Sequence, residues 1–252
     1  MQLKSDHLDK VRVVEDHVKG GTKVTGDLAG SSEESLFPLQ AALGYSIAQN
    51  LFIAKKNVLI EGPSDFLLLQ HMSAMLEGLG KAGLAEGVFV PVGGLDKLAT
   101  FIALLGASKL DLVVLHDRAA APQQSLEKLI RQKLIERQRV LDFSMFRVPD
   151  NLETDIEDLF PEALYVEAFN ATYVKELKGT TLAVADLGQH PRIIERINQW
   201  LKGKGITLLK DGGFNHYRVA QTLLPRLAVA ALSPGDLECF ERLFAKVNIV
   251  LA

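Results

Sequence analysis

The chain has 252 residues, 48% of them hydrophobic and 23% charged, enough to bury one substantial core with room for a small accessory subdomain. Its formal net charge of −3 argues against a generally basic nucleic-acid coat, so nucleic-acid contacts must come from local patches or a bound cation. A single cysteine, Cys239, excludes an intramolecular disulfide and a cysteine-rich zinc site. No apolar run approaches the length of a membrane span, and the first residues lack the charged-then-apolar pattern of a signal peptide. The expectation is a soluble, cytoplasmic protein.

In chain order, residues 9 to 28 alternate around Val11, Val13 and Val18, with Gly20-Gly21 as a turn, and predict a hairpin or two edge strands. Residues 29–34 read as a polar linker. Residues 35–54 read as an apolar helix carrying Leu36, Leu39, Leu43, Ile47 and Leu51, with Pro38 suited to its first turn. The run Val58 to Ile60 then predicts a buried strand that ends abruptly in Glu61, where Gly62 and Pro63 break it. Ser64 to Gly78 reads as a long helix with Phe66, Leu67, Leu69, Met72 and Leu76 inward. Asp65 falls in its first turn, so two acids can converge above the carboxyl end of one strand, where open α/β sheets bind ligands.

After a loop over residues 80–87, Val88 to Val92 predicts a second strand ending in Gly93-Gly94, ahead of a helix over 95–105. The glycine pair either lets a phosphate approach backbone N–H groups or is a tight strand-to-helix turn. Lys97, in the first turn of that helix, opposes the helix dipole and so favours a nearby anion. Leu110 to Leu115 predicts a third strand leading into His116, Asp117 and Arg118. If it lies parallel beside the Glu61 strand, Glu61, Asp65 and Asp117 meet at one rim. That all-oxygen set suits Mg²⁺ or Mn²⁺ rather than zinc; the alternative is that each acid is a helix cap or a solvated turn residue. His116 reads as a packed or turn residue, because no second histidine lies at metal-binding spacing.

Residues 125–139 predict a polar helix with Lys128, Arg131, Lys133, Arg137 and Arg139, which either follows a phosphate backbone or faces solvent. Residues 140–148 predict a fourth strand. The acidic segment that follows carries Asp150, Glu153, Asp155, Glu157 and Asp158; a helix starting there would align Glu153 with Glu157. Residues 161–204 are helical in pattern, over 163–177 and 191–202, and read as a small helical insertion or lid. Residues 206–209 are a last strand or a loop, followed by the glycine-rich stretch from Lys210 to Arg218 and two final helices over 219–231 and 234–247. The fold class expected is α/β: a mostly parallel sheet of about four strands flanked by helices, with that helical insertion.

Four of these elements carry a resemblance. Asn57-Val-Leu-Ile-Glu-Gly-Pro-Ser-Asp65, Pro91-Val-Gly-Gly-Leu-Asp-Lys97, the strand ending in Asp117, and Glu153-Thr-Asp-Ile-Glu-Asp-Leu-Phe160 occur in the order of the Toprim nuclease domain of the OLD (overcoming lysogenization defect) family. The similarity covers roughly residues 35 to 160. It implies a divalent-metal-dependent DNA endonuclease in which Glu61, Asp65, Asp117, Asp155 and Glu157 hold Mg²⁺ or Mn²⁺. Lys97, Arg118, Lys128 and Arg131 would then face DNA. A lysine near the end of such domains completes the catalytic set, and either Lys210 or His216 stands nearest that place here. The resemblance also implies an ATPase domain or subunit as partner, with residues 1–34 as the remnant of its side, residues 35–252 as the Toprim domain, and self-association left open. The nucleotide-binding pattern Gly-x-x-x-x-Gly-Lys-Ser/Thr is absent from all 252 residues, so ATP hydrolysis by this chain alone is not expected.

One position departs from the family. Where such sites read Asp-x-Asp, this chain reads Asp117-Arg118-Ala119. Loss of that carboxylate weakens a two-ion site. Arg118 either stands in for an ion's charge against phosphate or pairs with Asp117, and the runner-up reading is a catalytically impaired domain that binds DNA or a partner ATPase.

Overall fold

The computed structural model describes residues 13–17, 21–25, 54–94, 97–98, 101–102, 110–119, 124–147, 153–210 and 212–252. The linker at 29–34, nearly all of the helix over 35–54, parts of the one over 95–105, and Asp150 lie outside the described residues. Strands β1 (Val13–His17) and β2 (Gly21–Thr25) pair antiparallel, as the alternating valines predict. They form a two-stranded sheet of their own.

The main sheet consists of β3 (Lys56–Ile60), β4 (Val88–Pro91), β5 (Asp111–His116) and β6 (Val140–Asp142), in the order β4-β3-β5-β6. Every pairing is parallel. Strands covered on both faces need apolar residues at every position rather than at alternate ones, and β3 and β5 supply them. Val58, Ile60, Val113 and Leu115 join one hydrophobic cluster, whereas Leu59, Leu112 and Val114 join a second on the opposite face. This split by odd and even positions is the pleat of the strand expressed as two cores. Gly87, entering β4 with φ 113°, admits no side chain: a Cβ there would stand 2.6 Å from the Lys56 carbonyl oxygen.

Helix α1 (Pro63–Gly78) starts with proline at its first position and buries Asp65, Leu68, Leu69, Met72 and Leu76. The inward stripe therefore begins with an acid and passes through Leu68. Leu67, expected inside, is half-buried on the flank. Lys97, Leu98, Phe101 and Ile102 are helical, and the last three pack into the second cluster beside α2 (Gln124–Arg131). The predicted helix over 125–139 ends early. Lys133 turns left-handed with φ 57°, while the Leu134 and Lys133 N–H groups donate to the Leu129 and Ile130 carbonyls, closing the helix end. The fourth strand also stops short, at Asp142, whose carboxylate accepts from the Ser144 N–H at 3.0 Å and starts a 3₁₀ turn.

The remaining helices are α3 (Glu162–Thr172), α4 (Ile193–Gly203), α5 (His216–Leu223) and α6 (Pro234–Leu251). Helix α3 ends five residues before the predicted limit at 177. The predicted helix over 219–231 breaks into α5 and short 3₁₀ turns, the first containing Pro225. Residues 206–209 form a loop. Phe169, Tyr173, Trp200 and Phe214 build an aromatic cluster with tilted and edge-on rings, 5.1–6.4 Å between centroids. These rings belong to the same hydrophobic cluster as Val58, Ile60 and the buried face of α1, so segment 161–204 shares its core with the sheet. Among the described residues no helix is long and apolar enough to cross a membrane.

Phe169 is fully buried at the centre of the aromatic cluster. Phe169→Ala should lower the stability of the whole chain by about 3–5 kcal/mol in a single urea transition; a separate early transition would show that segment 161–204 folds on its own.

Candidate functional site

The chain leaves β3 toward β4 on one side and later places β5 on the other side of β3. That reversal puts a crevice at the carboxyl ends of β3 and β5, the place where open parallel sheets take ligands. Glu61 is the first residue beyond β3, and Asp117 the first beyond β5. Because the two strands run parallel in register, with Leu59 opposite Val114, both acids emerge on one rim. The Asp117 N–H donates to Glu61 Oε1 at 3.1 Å. The Gly93 and Gly94 N–H groups both donate to the Glu61 carbonyl, at 2.9 and 3.0 Å. The glycine pair therefore serves as a turn that pins Glu61, with φ of 79° and 112°, and its amides are committed there rather than open to a phosphate.

Asp65 sits buried in the first turn of α1, where its Oδ2 accepts from the Gly62 N–H at 2.9 Å. A short antiparallel bridge brings in the acidic segment: the Arg118 N–H donates to the Thr154 carbonyl at 2.8 Å, and the Thr154 N–H returns to Arg118 at 3.0 Å. Beyond the bridge the chain forms a 3₁₀ turn, Ile156–Leu159, entered at Asp155, whose N–H donates to Asp158 Oδ2 at 2.8 Å. The predicted alignment of Glu153 with Glu157 on a helix is thus absent. Glu153 precedes the bridge, whereas Asp155 and Glu157 are buried beside the Glu61–Asp117 rim.

The charges record how close these acids are. Burial raises Glu61 from 4.5 to about 7, with Asp65 and Asp155 adding to the rise against the Asp117 hydrogen bond. Burial likewise raises Asp65 from 3.8 to about 6. Asp117 is pushed well above its ordinary value by burial and then by Asp155, Asp65, Glu61 and Glu157. Glu157 rises well above its ordinary value by burial, Asp155 and Asp65. Five carboxylates from three separate segments therefore lie in one another's field.

Their donor set is entirely oxygen, which fits a hard divalent cation. They do not form a finished ligand shell: among the described residues no three acidic, histidine or cysteine side chains are arranged to hold an ion. Two reasons are visible. Asp65 Oδ2 is used as a helix cap. Asp155 directs both oxygens at Arg192, each 2.8 Å from its Nε.

Arg192 is the cation that sequence reasoning missed. It stands just before α4, 37 residues from its partner, and nothing local in Pro191-Arg192 marks it. Neither expected cation takes that position. Lys210 is exposed in the turn after the 206–209 loop. His216, packed on Phe214 with centroids 4.8 Å apart, is lowered from 6.5 to about 4 by burial and by Arg192, and is neutral at physiological pH. Arg118 turns instead to Asp142, its Nη1 3.3 Å from Asp142 Oδ2. His116 donates its Nδ1–H to the Asp117 carbonyl at 2.6 Å, as a turn residue.

The predicted DNA-facing cations are dispersed. Lys97 is exposed with its Nζ close to Gly93, and Lys128 and Arg131 are exposed on α2. Arg137 is held by Glu127 at 2.6 Å, and Arg139 lies 3.6 Å from Asp111. A cavity of about 560 Å³ opens beside the Asp117 turn, bounded by His116, Arg118, Ala119, Arg137, Asp142 and Lys246.

The matched sequence family agrees with the motif reading. Residues 52–118 match the family described as "Overcoming lysogenization defect protein-like, TOPRIM domain", a segment that contains Glu61, Asp65, Lys97, Asp117 and Arg118. Among solved structures, the C-terminal region of the Burkholderia pseudomallei OLD protein is 16% identical, with a TM-score of 0.42, covering 78% of this chain and 100% of that one. The C-terminal region of the Xanthomonas campestris pv. campestris OLD protein is also 16% identical, with a TM-score of 0.39, covering 79% and 97%. No curated protein matches in sequence.

Acids raised by burial and mutual repulsion hold protons in the folded state that the unfolded chain has already released. Stability must therefore fall as pH rises from the ordinary carboxylate range through the raised values, about 6 for Asp65 and about 7 for Glu61. In chelator, the thermal midpoint should drop between about pH 5 and pH 8, and Glu61→Gln should flatten that slope and raise the midpoint at the alkaline end. A midpoint that climbs over the same interval would contradict the clustering of these acids.

Proposed function

We propose that this chain, which carries an OLD-like Toprim domain at residues 52–118, is a divalent-metal-dependent endonuclease that nicks or cleaves DNA. One observation carries the reading: the in-register β3 and β5 deliver Glu61 and Asp117 to one rim, joined by the Asp117 N–H to Glu61 Oε1 hydrogen bond, with Asp65 and Glu157 near enough to raise the pKa of Asp117. A buried group of carboxylates is destabilising by itself, and a bound cation relieves it. When bound there, Mg²⁺ or Mn²⁺ would lower the pKa of a water and neutralise the scissile phosphate.

The chain's own residues set the geometry around that ion. The Glu61 carbonyl is held by Gly93 and Gly94, and its carboxylate by the Asp117 N–H. The Gly62 cap fixes the rotamer of Asp65. Glu157 is locked in the 3₁₀ turn that the Arg118–Thr154 bridge delivers. Such fixed acids reduce the reorganisation needed when the phosphate arrives. The cavity beside the Asp117 turn offers a route for one DNA strand, with Arg118 released from Asp142 to meet a phosphate and with Lys97, Lys128 and Arg131 contacting the flanking backbone. By the same resemblance, an ATPase domain or subunit works with this one, residues 1–34 lying on its side and residues 35–252 forming the nuclease domain.

A second reading rests on Ala119 and on the Arg192 clamp over Asp155: a domain with an impaired site that binds DNA or its ATPase partner without cutting. Incubation of supercoiled plasmid with Mn²⁺ or Mg²⁺ separates the two. Nicking by the wild type, reduced at least a hundredfold by Glu61→Ala, is the expected result. Nicking that survives Glu61→Ala would remove the site from the reaction, and DNA binding with no nicking by either protein would favour the second reading.

A further inference from the structure

The cavity beside the Asp117 turn is lined by two kinds of side chain. Leu126 and Ile130 come from α2, Val140 and Leu141 from β6, and the half-exposed Met145 follows β6. The charged residues are largely paired: Arg118 lies 3.3 Å from Asp142 and Arg137 2.6 Å from Glu127, and all four line the cavity. Lys246 of α6 lines it too and has no ion-pair partner among the described residues. Burial holds His116 below its ordinary 6.5, so it adds no charge. Three cations against two carboxylates leave one positive charge here, on a chain whose net charge is −3. A second cavity of about 540 Å³ has the opposite balance, with Asp158, Glu162, Asp236 and Glu238 against Arg147 and Arg242.

At about 560 Å³ the cavity falls in the ~300–1,000 Å³ range of pockets that enclose small molecules. Its apolar lining gains from covering a flat apolar group, and its one spare positive charge suits a single negative charge. A nucleotide within a strand supplies both, a base and one phosphodiester. His116, Arg118 and Ala119 flank Asp117 and bound the cavity, so a nucleotide held there adjoins the strand-end acids. We propose, resting on the reading of this chain as a DNA-cutting domain, that the cavity takes one unpaired nucleotide, its base against Ile130, Val140 and Met145 and its phosphate at Lys246. In a fully paired duplex the bases are stacked inside, and one reaches such a cavity only by being flipped out at a cost in free energy. Strands with unpaired bases are therefore the preferred substrate class.

Binding of labelled oligonucleotides to the 252-residue chain, followed by fluorescence anisotropy in chelator, tests this without metal or cleavage. A short single strand should bind about tenfold more tightly than the blunt duplex of the same sequence. Ile130→Trp, which fills the cavity, should abolish that preference, and Lys246→Ala should weaken the single strand about fivefold while changing the duplex less. Deoxynucleoside monophosphate in excess separates the two sources of the same chemistry: displacing the strand shows that a free nucleotide suffices, and failing to displace it assigns the cavity to a nucleotide within a strand. Equal affinity for both forms, or a preference that persists in folded Ile130→Trp, overturns the proposal and leaves plasmid nicking to be judged by its own assay. A cavity-dependent preference without nicking overturns the nuclease reading alone. Should Ile130→Trp fail to fold, undiminished single-strand binding by Lys246→Ala overturns the proposal.

Discussion

The structure depends on the parallel pairing of β3 with β5. Each strand is apolar on both faces and buried between two hydrophobic layers, so neither can slip by one residue without exchanging its two sets of side chains. That register fixes where the strands end, and the ends carry Glu61 and Asp117. The hydrogen bond from the Asp117 N–H to Glu61 Oε1 is the visible sign that the register delivers two acids to one point.

Assembling carboxylates at such a point works against stability. Burial raises Glu61, Asp65 and Asp158 to about 7, 6 and 6, and pushes Asp117 and Glu157 well above their ordinary values. The fold tolerates this because the apolar layers on both sides of the sheet are extensive, and because backbone amides, caps and one arginine answer part of the charge. Gly62, Asp117, Asp155 and Ile193 each donate a backbone N–H to one of these acids. Strain of this kind is ordinary at sites prepared for a cation or a developing charge.

Arg192 changes how the acids are read. Five carboxylates lie in one another's field, yet one has both oxygens on a guanidinium. The departure at Ala119 and the clamp at Asp155 reduce the oxygens available for ions at two separate places.

The strands, the long helix after Glu61 and the motif order were legible because each is written locally: continuous apolar runs, a proline at a helix start, glycines after a strand. Periodicity also exposed the acids at strand ends. It misplaced the ends of α2, α3 and β6, where Lys133 adopts a left-handed turn, α3 stops at Thr172, and the Asp142 carboxylate caps the next turn. Those terminations depend on single backbone conformations and side-chain bonds that composition does not announce.

What the sequence by itself determined was the parallel α/β class, the placement of Glu61 and Asp117 at strand ends, and the resemblance of its motifs. Only the tertiary structure decided which charges face one another. Thr154 bridging Arg118, the glycine pair spending its amides on Glu61, Arg118 turning to Asp142 and Arg192 closing on Asp155 all join residues distant in sequence or set by the packing of neighbouring elements. Electrostatic partnership follows distance through space, and no periodicity along the chain encodes it.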